Sequence, residues 1–306
     1  MRWQSTVTAV LGIAMATAML PAQGSGPQGG GPQSNGSGNG GTPPVREADA
    51  AKKAPPKPKA SEAARTAVAA ARETESKIKG ADGPARAAAL QTAAAAWDKV
   101  AADFATEPAV AAAAAFRGGE LWQRHGGFAQ AEQDFLASAR LEPQQFGQRG
   151  LLEAADMQRR QKRNDEALTT YGQVIAADAG SPRAQEARIW LGRLLQTLGR
   201  IDESIGAFRK ALDAAGKPKQ VVEAANYLAK ALIAKGDLDN AENALAHADE
   251  AIHKAITADA AQAERLQRTL DSMSARKALQ RARDKQTGAG KDAKALEEHR
   301  AGRGGG

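Results

Sequence analysis

The chain has 306 residues, no cysteine, and 42 Lys and Arg against 35 Asp and Glu, a net charge of +7. The lack of cysteine excludes disulfides, thiol nucleophiles and cysteine-ligated metals. Aromatics make up only 4% while alanine is abundant, a composition that favours helices and leaves too few large side chains for one big globular core.

Residues 1–22 read as a secretory signal peptide. Arg2 gives a basic start, 7–20 is apolar or small without charge, and Pro21 and Ala22 supply a break and a small residue for cleavage. That apolar run falls short of the roughly 20 residues needed to span a bilayer, so cleavage is expected rather than anchoring. Residues 23–60 form a Gly/Pro/Ser-rich and then Lys/Pro-rich linker with almost nothing apolar to bury, expected to be disordered. The run 24–29 matches the spacing of a dinucleotide-binding glycine motif by chance, since no strand precedes it and no helix follows.

Residues 61–106 predict a helical hairpin. Ser61 opens the first helix with Glu62 in its first turn, residues 80–84 break the chain, and the second helix carries Leu90, Trp97 and Phe104 at seven-residue spacing, with Val100 beside them. Trp97 follows Ala93 by four, a spacing that recurs downstream. The hairpin is either a degenerate repeat or an N-terminal cap.

Residues 107–250 hold four repeats. Ala131 and Phe135 recur as Ala167 and Tyr171, Ser204 and Phe208, then Ala241 and Leu245, at steps of 36, 37 and 37 residues. A second marker runs ahead of each: Gly119 and Trp122, Ala155 and Gln158, Gly192 and Leu195, Ala229 and Leu232. Turn residues lie between the two markers at Gly126 and Gly127, at 162–164, at Gly199 and Arg200, and at Gly236 and Asp237. Small residues let two short helices cross closely, and large apolar ones fill the groove between them.

The pattern resembles the tetratricopeptide repeat, whose units are about 34 residues with a small residue and an aromatic on the first helix, Ala-x-x-x-Phe on the second, and a closing Pro such as Pro143. The resemblance implies an all-α fold, a right-handed α-α superhelix, in which each hairpin buries its apolar face only against the next. The extra residues of each unit are expected in the loops at 178–182 and 215–218. A narrower likeness rests on Gly180, Ser181, Pro182, Trp190, Leu191, Gly192, Leu198, Ala207 and Phe208. These resemble bacterial cell-envelope repeat proteins of the TolA-binding type, without that family's long coiled-coil N-terminus.

Residues 251–286 predict a C-terminal capping helix or helices, with Ile252, Ile256, Leu266, Leu270, Met273 and Leu279 as apolar positions. Residues 287–306 predict a disordered basic tail.

No set of residues nominates a catalytic centre, a cofactor site or a metal site. Asp249 and His253 are four apart on one predicted helix, but two ligands do not make a metal centre. The resemblance implies instead a concave groove lined by the first helices. It places Glu120, Arg124, Arg149, Asp156, Arg159, Arg160, Arg193, Asn226 and Lys230 there, with Trp190 near the edge, beside Phe116, Gln123, Leu152, Glu186, Ile189, Gln196, Val222 and Ile233. The middle is rich in arginine, which suits carboxylates. The reading is an exported, non-catalytic scaffold in the bacterial periplasm or secreted, holding an acidic or C-terminal peptide segment of an unknown protein partner. It has no nucleic-acid role and no transmembrane anchor after cleavage. The Lys and Asn set of the family's carboxylate-clamp version is incomplete, with Asn226 as its main remnant. The alternatives are that the arginines form a solvated face paired with Glu and Asp, or that 52–59 and the basic C-terminal end bind polyanions or the envelope surface.

Overall fold

A computed structural model describes residues 59–303, with side chains up to 288. The predicted signal peptide and nearly all of the predicted linker lie outside the described residues. Within them the chain is all-α, with twelve α-helices and two short 3-10 turns. It is the solenoid that the repeat pattern predicts.

Four helical hairpins follow one another: α3 (Pro108–His125) with α4 (Phe128–Leu141), α5 (Pro143–Arg160) with α6 (Asn164–Ala177), α7 (Pro182–Thr197) with α8 (Ile201–Asp213), and α9 (Pro218–Lys235) with α10 (Leu238–Ala258). Every first helix begins at a proline, where the missing N–H has no helical partner to lose. Every inner turn closes with the same bond. The N–H of Gly127, Arg163, Arg200 and Asp237 donates to the carbonyl five residues back, at 2.9 Å in each case, the 6→1 bond of a Schellman cap. Gly126, Gly199 and Gly236 take the left-handed conformation this needs, and Lys162 takes it in the second repeat at φ 62°.

The extra residues lie in the predicted connections between α6 and α7 and between α8 and α9. The 36-residue step differs. Only Glu142 separates α4 from α5, and the length is carried by α5 itself, 18 residues long.

Each helix packs on the next, and α3, α5, α7 and α9 also touch one another along the row. The first helices therefore form the tighter, inner wall. Phe135, Tyr171 and Phe208 are wholly buried. A Cβ on Gly192 would lie 2.5 Å from the Phe208 ring, and one on Gly119 would lie 2.9 Å from that of Phe135. The small residue of the pattern is thus where an aromatic of the second helix presses on the first. Two clasps within hairpins recur at matching positions: Gln148 Nε2 of α5 donates to the Val174 carbonyl of α6 at 2.9 Å and Gln185 Nε2 of α7 to the Ala211 carbonyl of α8 at 2.7 Å.

Ahead of the repeats, α1 (Glu62–Ser76) and α2 (Gly83–Asp103) form the predicted hairpin. Ser61 caps α1 by accepting from the Ala64 N–H at 3.0 Å. Leu90, Ala93, Trp97 and Val100 bury one stripe of α2 against α3. After the repeats, α10 runs on to Ala258, past residue 250, because Ala248 and Ile252 keep its apolar face buried. Then α11 (Ala263–Asp271) and α12 (Ser274–Arg303) follow. Leu270, Met273 and Ala275 extend the core of the last repeat and cap it. The helical backbone of α12 passes Lys285, where the sequence pattern ends. Beyond it the chain offers no apolar stripe, and Gly288 and Gly290 each weaken a helix by about 1 kcal/mol.

Two polar clusters interrupt the apolar interior. Gln158, the mismatch in the second repeat, is buried but satisfied. Its Nε2 donates to Glu132 Oε1 at 3.0 Å and its Oε1 accepts from the Thr170 hydroxyl at 2.8 Å. Gln161 and Arg163 complete the shell of Glu132. The second cluster joins α2 to α4. Asp98 and Asp134 share a hydrogen bond, and Trp122 Nε1 donates to Asp98 Oδ2 at 2.8 Å. Burial, then the Asp98 charge, pushes the Asp134 carboxyl up to about 8, so it keeps its proton at neutral pH.

Candidate binding groove

The inner wall brings most of the predicted groove residues into two polar ladders. The first runs from α1 to α5. Glu120 accepts from Arg117 at 2.6 Å and from Arg149 at 3.1 Å, and Arg117 continues to Glu75. The Arg149 guanidinium stands 3.9 Å over the Phe116 ring. The contact with Arg117 holds the Glu75 carboxyl below its usual value, with the Trp97 N–H assisting.

The second ladder runs from α5 to α9. Asp156 pairs with both Arg159 and Arg160. Arg159 lies 5.0 Å from the Trp190 ring, Arg193 lies 4.2 Å from Trp190 and 5.4 Å from Tyr227, and Lys230 lies 5.5 Å from Tyr227. Tyr227 is itself stacked on Phe208 at 5.5 Å. Cations and rings therefore alternate along the wall, and a ring face holds a guanidinium in place with its edge free to donate.

The arginines differ in what they have left to offer. Arg149, Arg159 and Arg160 each have a carboxylate partner, so the alternative of a self-paired face describes the middle of the wall. Arg193 and Lys230 have none among the described residues. Half-buried Glu153 adds acid to the middle. Burial raises its carboxyl, with the Asp156 and Glu186 charges adding to the effect.

Several predicted positions fall elsewhere. Phe116, Leu152, Ile189 and Val222 are buried in the interhelical core, because that position abuts the next first helix, as Arg149 on Phe116 shows. Asn226 is engaged. Its Oδ1 accepts from the Ala275 N–H at 3.0 Å and so holds the first turn of α12. Arg124 is exposed and makes no ion pair in either ladder, although its charge acts on Glu75 at the end of the first. The sequence analysis missed Tyr227, whose signal was its place one 37-residue step after Trp190, and Arg117, whose signal was its three-residue spacing to Glu120.

At the C-terminal end, Arg276 pairs with Asp249, and Arg283 lies 2.8 Å from both Asp239 and Glu242. These acids of α10 neutralise part of the basic stretch. His253 Nδ1 faces the Asp249 carbonyl at 2.8 Å, so the two side chains do not converge. Among the described residues no group of three or more His, Asp or Glu is placed to hold a metal ion, and no helix is long and apolar enough to cross a membrane.

The tetratricopeptide-repeat family model matches residues 116–182, 152–218 and 191–255 in overlapping units. Residues 116–255 are tetratricopeptide repeats. The fold is one that presents an interaction surface to protein partners. Solved structures are similar in part. A MamA protein is 16% identical over 65% of this chain and 96% of its own, with TM-score 0.48. MamA from Desulfovibrio magneticus is 16% identical over 65% and 98%, with TM-score 0.45. BtubC from P. vanneervenii is 15% identical over 64% and 90%, with TM-score 0.46. No curated protein matches the sequence. Neither the family model nor these structures supports the narrower TolA-binding likeness.

Proposed function

We propose that this chain is an exported, non-catalytic scaffold that holds an acidic peptide segment of a partner protein against the inner wall of the repeats. The observation that carries the reading is Arg193. It lies near both the Trp190 and Tyr227 rings, with Lys230 also near Tyr227, and no carboxylate among the described residues meets either cation. A partner carboxylate would complete the site. A charge-assisted bond to an already positioned guanidinium contributes about 1.5–3 kcal/mol, and the rings offer apolar faces beside it. The self-paired arginines of α5 would then set where such a peptide stops. Export to the periplasm or beyond rests on the leader-like residues 1–22.

The test places a photo-crosslinking amino acid at Gln196 in the full chain and captures partners in the native envelope. Capture that disappears in Arg193→Glu with Lys230→Glu, and persists in Arg209→Glu on the outer helix α8, supports the groove. An unchanged set of partners in the double variant refutes it. Retention of the whole chain, uncleaved, in the cytoplasmic fraction refutes export.

A further inference from the structure

At the N-terminal end the inner wall opens. The helices α3, α5, α7 and α9 close on one another, but α1 is joined to α3 by side-chain bridges at the two ends of a cleft of about 1210 Å³. At one end the Ser61 backbone N–H and hydroxyl donate to the Glu107 carboxylate at 3.0 and 2.6 Å. At the other, Glu75 holds Arg117 and accepts from Trp97 Nε1 at 3.0 Å. Between the bridges the lining is apolar, with Val68, Val110 and Ala113 among its residues.

The charges around this lining do not balance. Glu75 and Glu107 are occupied by the bridges, which leaves Glu142 as the lining carboxylate without a described partner. Lys59, Arg72, Lys79 and Arg124 also line the cleft, and none has a carboxylate partner among the described residues. The volume exceeds the roughly 300–1,000 Å³ of ordinary small-molecule pockets. Its long wall, α1, has 15 residues, about 22 Å at the helical rise, which accommodates about six or seven extended residues.

We propose that this cleft is a second docking site, for an extended acidic peptide segment of a partner protein. Side chains of an extended segment alternate between two faces, so apolar ones meet Val68 and Val110 while carboxylates on the other face meet Arg72, Lys79 and Arg124. The site lies ahead of the Arg193 ladder and does not depend on it.

The test is fluorescence anisotropy of a fluorescein-labelled heptapeptide of alternating glutamate and leucine, titrated with the full chain at low salt. Saturable binding is expected, weakened at least tenfold by Arg72→Glu with Lys79→Glu and also by Ala113→Trp. The last variant fills the cleft from an exposed position, and far-UV circular dichroism confirms that each variant is folded. Arg209→Glu on the outer helix α8 is expected to leave the affinity unchanged, and the glutamine analogue of the peptide to bind at least tenfold more weakly. Three results overturn the proposal: no saturable binding, equal binding of the glutamine analogue, or full retention in Arg72→Glu with Lys79→Glu together with loss in Arg193→Glu with Lys230→Glu, which would put the peptide on the ladder alone.

Discussion

Replacing Gly192 by alanine adds one methyl group where the inner wall has no room for it. The new Cβ would lie 2.5, 2.7 and 2.8 Å from three carbons of the Phe208 ring, where 3.4 Å or more is ordinary contact. Phe208 is wholly buried and stacked on Tyr227, so its ring has nowhere to go and α7 must move off α8. Overpacking of this kind costs about 1–3 kcal/mol, against about 1 kcal/mol returned by the better helix propensity of alanine. Gly172 in α6 is the control, since a Cβ there meets nothing within 4 Å and only the propensity gain applies. Urea unfolding followed by far-UV circular dichroism should place Gly192→Ala below the parent or level with it, and Gly172→Ala above it, the two separated by about 1–3 kcal/mol. The emission of Trp190, two residues away on the displaced helix, should shift only in the first. Equal midpoints for the two variants would refute the claim that the small residue is required by close helix crossing.

Stability should also depend on pH through Asp134. Its carboxyl titrates near 3.8 when unfolded and about 8 when folded, so the stability it contributes is full below the unfolded value and is lost as pH rises through the folded one. Melting temperatures from pH 4.5 to 9 should fall more steeply for the parent than for Asp134→Asn, and parallel slopes would contradict the shared proton. Gln158→Leu restores the apolar residue seen at Leu195 and Leu232 but removes a partner of buried Glu132. It should destabilise by about 1–2 kcal/mol, measured by urea titration, and a gain in stability would show that the polar cluster is dispensable. Lys162→Gly relieves a left-handed side chain and should gain up to about 1 kcal/mol in the same assay. A loss would mean that the lysine makes a compensating contact.

Much of this molecule is written locally. Prolines at 108, 143, 182 and 218 start helices, Gly126, Gly199 and Gly236 turn the chain, and Ala or Gly paired with Phe, Tyr or, in the last repeat, Leu245 marks each crossing. All of these act through neighbours within one hairpin, so a periodic sequence determines the repeated hairpins and their stacking without further information. The tertiary structure decided which charges are already used. Arg149 finds Glu120 from 29 residues away and Asn226 finds the Ala275 N–H from 49 away, while Arg193 beside them meets only rings. Side-chain spacing along one helix cannot report such pairings, because they depend on how a neighbouring hairpin is rotated. The opening between α1 and α3 was equally beyond the pattern. It exists because α1 reaches the α3 side only through polar bridges, whereas α3, α5, α7 and α9 touch one another along the row.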